Sequence, residues 1–344
     1  KVTMYASLLM MGISTSIIGI LPPAASAGVG VVIVLQLMRL AQCFGRGGTW
    51  GGGILMAYEN VPENKRSFYA AIPQIGLPIG FGLSSILIAV PTLLLPEDIF
   101  FTWGWRIPFL AAIILTVIVI RQKGEMMETE DYKKAQAKLE AEEAEGKKHK
   151  VGFIPMVKGY WKTLLLGCGT RWVDGTFYNI FIVWILSYCI NWLGMPLIQT
   201  YIITIIACIF KIPFTLFGGW CAQKLGNTRT FVIGALASAV LSIPTLKVIE
   251  LSKGNLAITI IGIVLGWSIA YNLIWAVISS LWSSYFETEV RYSGISFVYH
   301  VPSFLVAGMV PTICTLLINY GKGDTIYVGI YSTVVALISA ACAL

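Results

Sequence analysis

The sequence predicts an all-α integral membrane protein whose chain crosses the bilayer ten times. Three observations carry this. Of 344 residues, 57% are hydrophobic and 12% charged, with a mean hydropathy of +0.78, whereas a soluble domain carries about 25% charged residues. The apolar residues run in stretches of about 20, the length that crosses about 30 Å of hydrocarbon as a helix. Eighteen of the forty-one Asp, Glu, Lys and Arg residues fall within 121–162, leaving twenty-three for the other 302 positions. This composition excludes disorder, a collagen-like chain and an ordinary soluble enzyme. The unbroken apolar runs exclude the alternating ten-residue strands of a barrel.

The expected spans are 2–21, 29–58, 67–90, 104–121, 159–190, 197–222, 229–249, 256–286, 292–319 and 325–344. Pro22-Pro23, Pro91 with Pro96, Gly194-Met195-Pro196 and Lys253-Gly254-Asn255 separate them as turns. Trp103, Trp105, Tyr160, Trp161 and Trp192 stand near span ends, where amphipathic rings meet headgroups. The seven cysteines lie in apolar runs with no C-x-x-C pair, and there are two histidines. Neither a disulfide framework nor a metal site is expected, and no cofactor.

Basic residues set the orientation. With residue 1 in the cytoplasm, sixteen fall in inside loops: Lys1, Lys65, Arg66, ten within 121–162, Lys224, Arg229 and Arg291. Three, Lys247, Lys253 and Lys322, fall outside. The chain is thus expected in the plasma (inner) membrane, and its net charge of +7 reflects topology rather than nucleic-acid binding. The organisation expected is a four-helix part over 1–121, a charged cytoplasmic loop over 122–158 and a six-helix bundle over 159–344. Within the loop, Glu125–Glu145 reads as a solvated helix with Glu/Lys pairs along its surface.

Four spans against six suggests two six-helix halves with two helices ahead of Lys1, an architecture frequent in transporters. A weak internal repeat agrees, because Lys1–Leu8 resembles the end of the stretch Gly218–Ser238.

Specific stretches then point to a family. Arg39-Leu40-Ala41-Gln42-Cys43-Phe44 followed by Gly47-Gly48-Thr49-Trp50-Gly51-Gly52 resembles the R-x-x-Q-G…G-G-E-W-G-G stretch of the metabolite:proton symporters, a branch of the major facilitator superfamily. Lys65–Tyr69 with Pro73–Gly76, Trp103–Phe109, Arg171–Tyr178 and Glu289–Gly294 are similar to the same family. The resemblance covers the whole chain. It implies a six-plus-six major facilitator bundle and proton-coupled uptake of a small metabolite by alternating access. Family substrates include shikimate, alpha-ketoglutarate, citrate, proline and betaine. Several family carboxylates are replaced. Thr49 stands for the Glu of G-G-E-W, Gln223 for the acid of the loop motif, and Ser284 opens the stretch that reads E-L-F-P-T-R in the family. Lys65, Arg66, Gln223, Lys224 and Arg291 are the positions matching the cytoplasmic gate and loop motifs.

Charges inside spans need partners or a watery cavity, so each is a candidate. Arg39, Gln42 and Arg46 share one helix face. Arg39 either binds a substrate carboxylate or pairs with an acid elsewhere. Arg171 and Asp174 are spaced i, i+3, with Tyr178 a turn on. Asp174 is either the proton carrier or one half of a structural pair. Lys211 either contacts an anionic substrate, or snorkels or pairs. His300 either titrates or packs as a polar core residue. Gln74, Tyr271, Asn272 and Tyr299 are hydrogen-bonding wall residues. The excess of buried cations predicts a small-molecule, anionic substrate, carried with a proton as coupling ion by a monomer in the lipid bilayer. A zwitterionic osmolyte is the alternative substrate. A non-transporting sensor is the alternative class, motivated by the lost carboxylates. No nucleophile–base pair or metal cluster is present to suggest an enzyme.

Overall fold

The computed structural model describes residues 2–23, 28–59, 61–62, 65–121 and 153–344; the expected loop helix Glu125–Glu145 lies outside them. Every regular element among the described residues is helical. Among the described residues nine helices are long and apolar enough to cross a membrane, and a shorter apolar helix precedes them. We number them α1 (Val2–Ile20), α2 (Val29–Glu59), α3 (Arg66–Leu94), α4 (Gly104–Arg121), α5 (Pro155–Asn191), α6 (Leu197–Leu225), α7 (Asn227–Leu251), α8 (Leu256–Ser283), α9 (Val290–Tyr320) and α10 (Ile326–Ala343). These match the ten expected spans.

Local chemistry sets several ends. The Asn255 side chain caps α8, accepting from the amides of Ala257 and Ile258 at 3.0 and 3.3 Å. Gly226 alone joins α6 to α7, with φ at +90°, a conformation in which a side chain is strained. Two expectations need correcting. Pro91 does not end the third span but lies inside a helix reaching Leu94, because lipid-embedded helices re-satisfy the backbone that a proline frees. Residues 153–158, expected in the charged loop, are already helical, with Met156 buried. A proline in the first turn, Pro155, is compatible with a helix start, and the helix then kinks at Tyr160 (φ −115°, ψ 21°).

The chain forms two compact units, Lys1–Met56 with Ser84–Thr129, and Ala57–Leu83 with Glu130–Leu344. Both α2 and α3 therefore contribute to each. In the first unit, α1 lies along α4 at its small residues. A side chain at Gly12 would meet Thr116, and one at Gly19 would meet Phe109. In the second, the front of α3 docks on α6 and α8. Ser279 donates to the Ala70 carbonyl at 3.1 Å, and Trp275 Nε1 to the Gln74 carbonyl at 3.1 Å. Small residues and hydroxyls also join α5, α7 and α10. Ser339 donates to the Gly169 carbonyl at 2.7 Å, and Ser242 hydrogen-bonds Ser332. The outer surface is the inverse of a soluble protein's, with Leu165, Val240 and Phe304 more than half exposed. That surface suits lipid.

Candidate functional site

Two irregular segments shape the interior of the second unit. α5 widens to a π-helix over Asn179–Trp184, and α8 over Val264–Ala270. Such insertions recur at functional sites because they re-aim the side chains that follow. The two segments meet where the Phe181 ring fills the space that a side chain at Gly266 would need.

Beside them lies a largely buried polar cluster. Asp174, 1% exposed, accepts from the Arg171 guanidinium through Oδ2 and from the Tyr271 hydroxyl through Oδ1. Arg171 also donates to Ser303 Oγ at 3.2 Å, and its guanidinium lies 4.4 Å from the centroid of the Tyr299 ring. Ser303 in turn donates to the Tyr299 carbonyl. The pair on α5 is thus held by α8 and α9. Phe177 lies nearly parallel to the Tyr271 ring, at 6.2 Å and 9°, and fixes its plane.

Lys211 on α6 is fully buried. Its ammonium lies 4.4 Å from the ring centroids of Trp267 and Tyr271 and 6.0 Å from that of Trp275. These three residues, spaced i, i+4 and i+8 on α8, form an aromatic cage. Of its three donors, one reaches the Trp267 carbonyl at 3.5 Å. Among the described residues the ammonium has no ion-pair partner. Trp267 Nε1, Gln74 Nε2 and Arg171 Nε are also buried without an acceptor among the described residues. Asn272 braces the lysine's own backbone, donating to the Lys211 carbonyl at 2.8 Å. The cluster is therefore rich in unmatched donors and positive charge. It suits a ligand that brings acceptors.

Of the sequence candidates, the structure brings Arg171, Asp174, Tyr271, Tyr299 and Lys211 together, with Gln74 and Asn272 at the edge. His300 packs its ring edge-on to Tyr299 at 5.0 Å, and Tyr178 faces Phe81 at 5.9 Å. Arg39, Gln42 and Arg46 belong to the other unit, where Arg39 is exposed and Gln42 donates to Thr15 Oγ1 at 2.7 Å. The motif residues form a second cluster. The Phe68 amide donates to Gln223 Oε1 at 3.3 Å, while Arg66 and Arg291 approach the Tyr58 ring at 5.2 and 5.7 Å. Lys65 and Lys224 are exposed beside it, and the Thr49 side chain lies outside the described residues. Sequence reasoning missed Trp267, Trp275, Ser303 and Tyr58. The aromatic spacing on α8 was the signal available for the first two.

Comparison with known proteins gives the same family that the motifs suggest. The family model for the Major Facilitator Superfamily matches residues 1–311. The chain is 32% identical to the inner membrane metabolite transport protein YhjE of Escherichia coli K12, over 98% of this chain and 75% of that protein. It is 30% identical to the shikimate transporter of the same organism, over 97% and 75%. The proline/betaine transporter of Salmonella typhimurium LT2 is 27% identical, over 96% and 66%. Among solved structures, a D-xylose-proton symporter superposes with a TM-score of 0.70 at 16% identity, covering 98% of this chain and 80% of that one. The fucose:proton symporter FucP of E. coli superposes at 0.64 and 13%, covering 99% and 83%. At these identities the structures speak for the fold. The chain belongs to the Major Facilitator Superfamily, and it is a multi-pass plasma-membrane transporter rather than an enzyme.

Proposed function

We propose that the protein is a proton symporter for a small organic acid, working by alternating access as a monomer and without a cofactor. One observation carries this reading: the Lys211 ammonium is fully buried among aromatic rings and, among the described residues, forms no ion pair. A charge inside a membrane protein needs a partner, and a substrate carboxylate supplies one. The rings of Trp267, Tyr271 and Trp275 wall the substrate's apolar body. Asp174 takes the coupling proton, and Arg171 holds the carboxylate when that proton has left. Residue 1 and the charged loop over 122–152 lie in the cytoplasm, and the loop separates a part over 1–121 from a six-helix part that begins at Phe153. Arg39, Gln42, Gln74, Tyr178 and His300 complete the candidate set. Lys65, Arg66, Gln223, Lys224 and Arg291 serve the cytoplasmic gate.

The rival substrate class is a zwitterionic osmolyte, since relatives include proline/betaine transporters and aromatic cages suit quaternary ammonium groups. Here Lys211 already occupies the cage with a cation, which favours the acid. The test is uptake into proteoliposomes under an inward proton gradient. Labelled shikimate, alpha-ketoglutarate and citrate are set against glycine betaine and proline. The reading expects gradient-driven accumulation of a carboxylate, abolished by a protonophore. Accumulation of betaine alone would replace it with the osmolyte reading. Binding of a carboxylate without flux would favour a sensor.

A further inference from the structure

Tyr271 touches both charged centres. Its hydroxyl donates to Asp174 Oδ1, and its ring centroid lies 4.4 Å from the Lys211 ammonium. The residue is 1% exposed, held by Phe177, and sits where the π-helical segment of α8 returns to α-helix. We infer that Tyr271 is the positioning residue that couples proton binding at Asp174 to anion binding at Lys211. The inference rests on the symport reading above and adds the connection between its two halves.

The charged or titratable groups facing Asp174 are Arg171 on its own helix, Tyr271 on α8 and Lys211 on α6, and Tyr299 on α9 lies against Arg171 and Tyr271. While Asp174 is charged, Oδ2 accepts from Arg171 and Oδ1 from Tyr271. A proton arriving from solvent forms an O–H bond at Oδ1, just where the tyrosine hydrogen lies. The tyrosine O–H must then turn away, and its oxygen accepts from the new carboxylic acid. Breaking that same O–H bond releases the proton on the other side, and no other bond changes. The ring that walls Lys211 is thereby relieved of one negative charge at its hydroxyl end. The ammonium, no longer drawn towards Asp174, turns to a substrate carboxylate. Proton binding therefore precedes and strengthens anion binding.

The full chain in proteoliposomes, probed with labelled shikimate, tests this through Tyr271→Phe, which keeps the ring and removes the hydroxyl. Two rates are compared: gradient-driven accumulation, and counterflow, which needs no net proton movement. The ratio of accumulation to counterflow is expected to fall at least tenfold in Tyr271→Phe. Tyr271→Leu, which loses the ring too, is expected to lower both rates. An unchanged ratio in Tyr271→Phe overturns the proposal, whether both rates are retained or both are lost together. A ligand-free arm follows tryptophan emission against pH in nanodiscs, since Trp267 and Trp275 line the cage. A pH-dependent change present in the wild type and lost in both Asp174→Asn and Tyr271→Phe supports the coupling. A change absent from the wild type, or surviving in Tyr271→Phe, overturns it. If the wild type moves no carboxylate, the symport reading fails, and this second arm still decides the coupling.

Discussion

Lys211 places its ammonium 4.4 Å from the centroid of the Tyr271 ring, and the two residues come from different helices, α6 and α8. The contact joins a buried cation to the hydroxyl that serves Asp174. It links the two charges on which proton-coupled transport of an acid would depend.

Replacing Lys211 by Met separates function from folding. The substitution removes a buried charge that forms no ion pair among the described residues and leaves the aromatic cage filled by a side chain of similar length. Melting temperature in detergent is expected to hold or rise. Carboxylate uptake is expected to fall at least tenfold, equivalent to about 1.4 kcal/mol of lost binding. A purely structural lysine would lower both.

Arg171 and Asp174 behave oppositely. Arg171→Ala leaves a buried carboxylate with only the Tyr271 hydroxyl, and breaking a buried ion pair costs about 3–5 kcal/mol. Chemical or thermal denaturation of the purified variant should register that loss. Asp174→Asn keeps a polar side chain and is expected to cost less stability, while abolishing gradient-driven accumulation.

How much of this was legible in the sequence differs between fold and site. Hydropathy runs and positive loops mark ten helices because lipid imposes a length and an apolar surface on each. The pair Arg171 and Asp174 was legible for the same reason, since charges in apolar runs stand out. Their partners were not. Ser303 lies 132 positions from Arg171, and only folding reveals that it accepts from the guanidinium. Trp267 and Trp275 read as ordinary apolar residues, although their spacing with Tyr271 places them on one face. The π-helical turn over Val264–Ala270 had no composition signal. Arg39 carried a strong motif, yet it lies in the other unit from the buried cluster.

The docking of α3 on α6 is tight at one glycine. A side chain at Gly219 would lie 2.7 Å from Ala71 Cβ and 3.4 Å from the Phe68 carbonyl. Gly219→Val is expected to destabilise by about 1–3 kcal/mol, as overpacking does, read as a lower melting temperature.

On the outer loop, Asp324 accepts from Lys247 at 2.7 Å and from the Ile326 amide at 2.7 Å. These bonds hold its carboxyl below the usual aspartate range. A lowered value contributes stability above the ordinary aspartate pKa of about 3.9, and that stability is lost as pH falls through the lowered value. Asp324→Asn is expected to melt slightly lower than wild type at pH 6. The gap should narrow as pH falls below the ordinary aspartate value of about 3.9, because protonation then removes the same charge from the wild type.

The most direct measurement is proton movement itself. Shikimate, alpha-ketoglutarate or citrate is added to proteoliposomes in weakly buffered medium, and the external pH is recorded. The account predicts alkalinisation on adding a carboxylate to wild-type vesicles, and none with Asp174→Asn or Lys211→Met. Undiminished alkalinisation in either variant, or alkalinisation with glycine betaine and with no carboxylate, would contradict it.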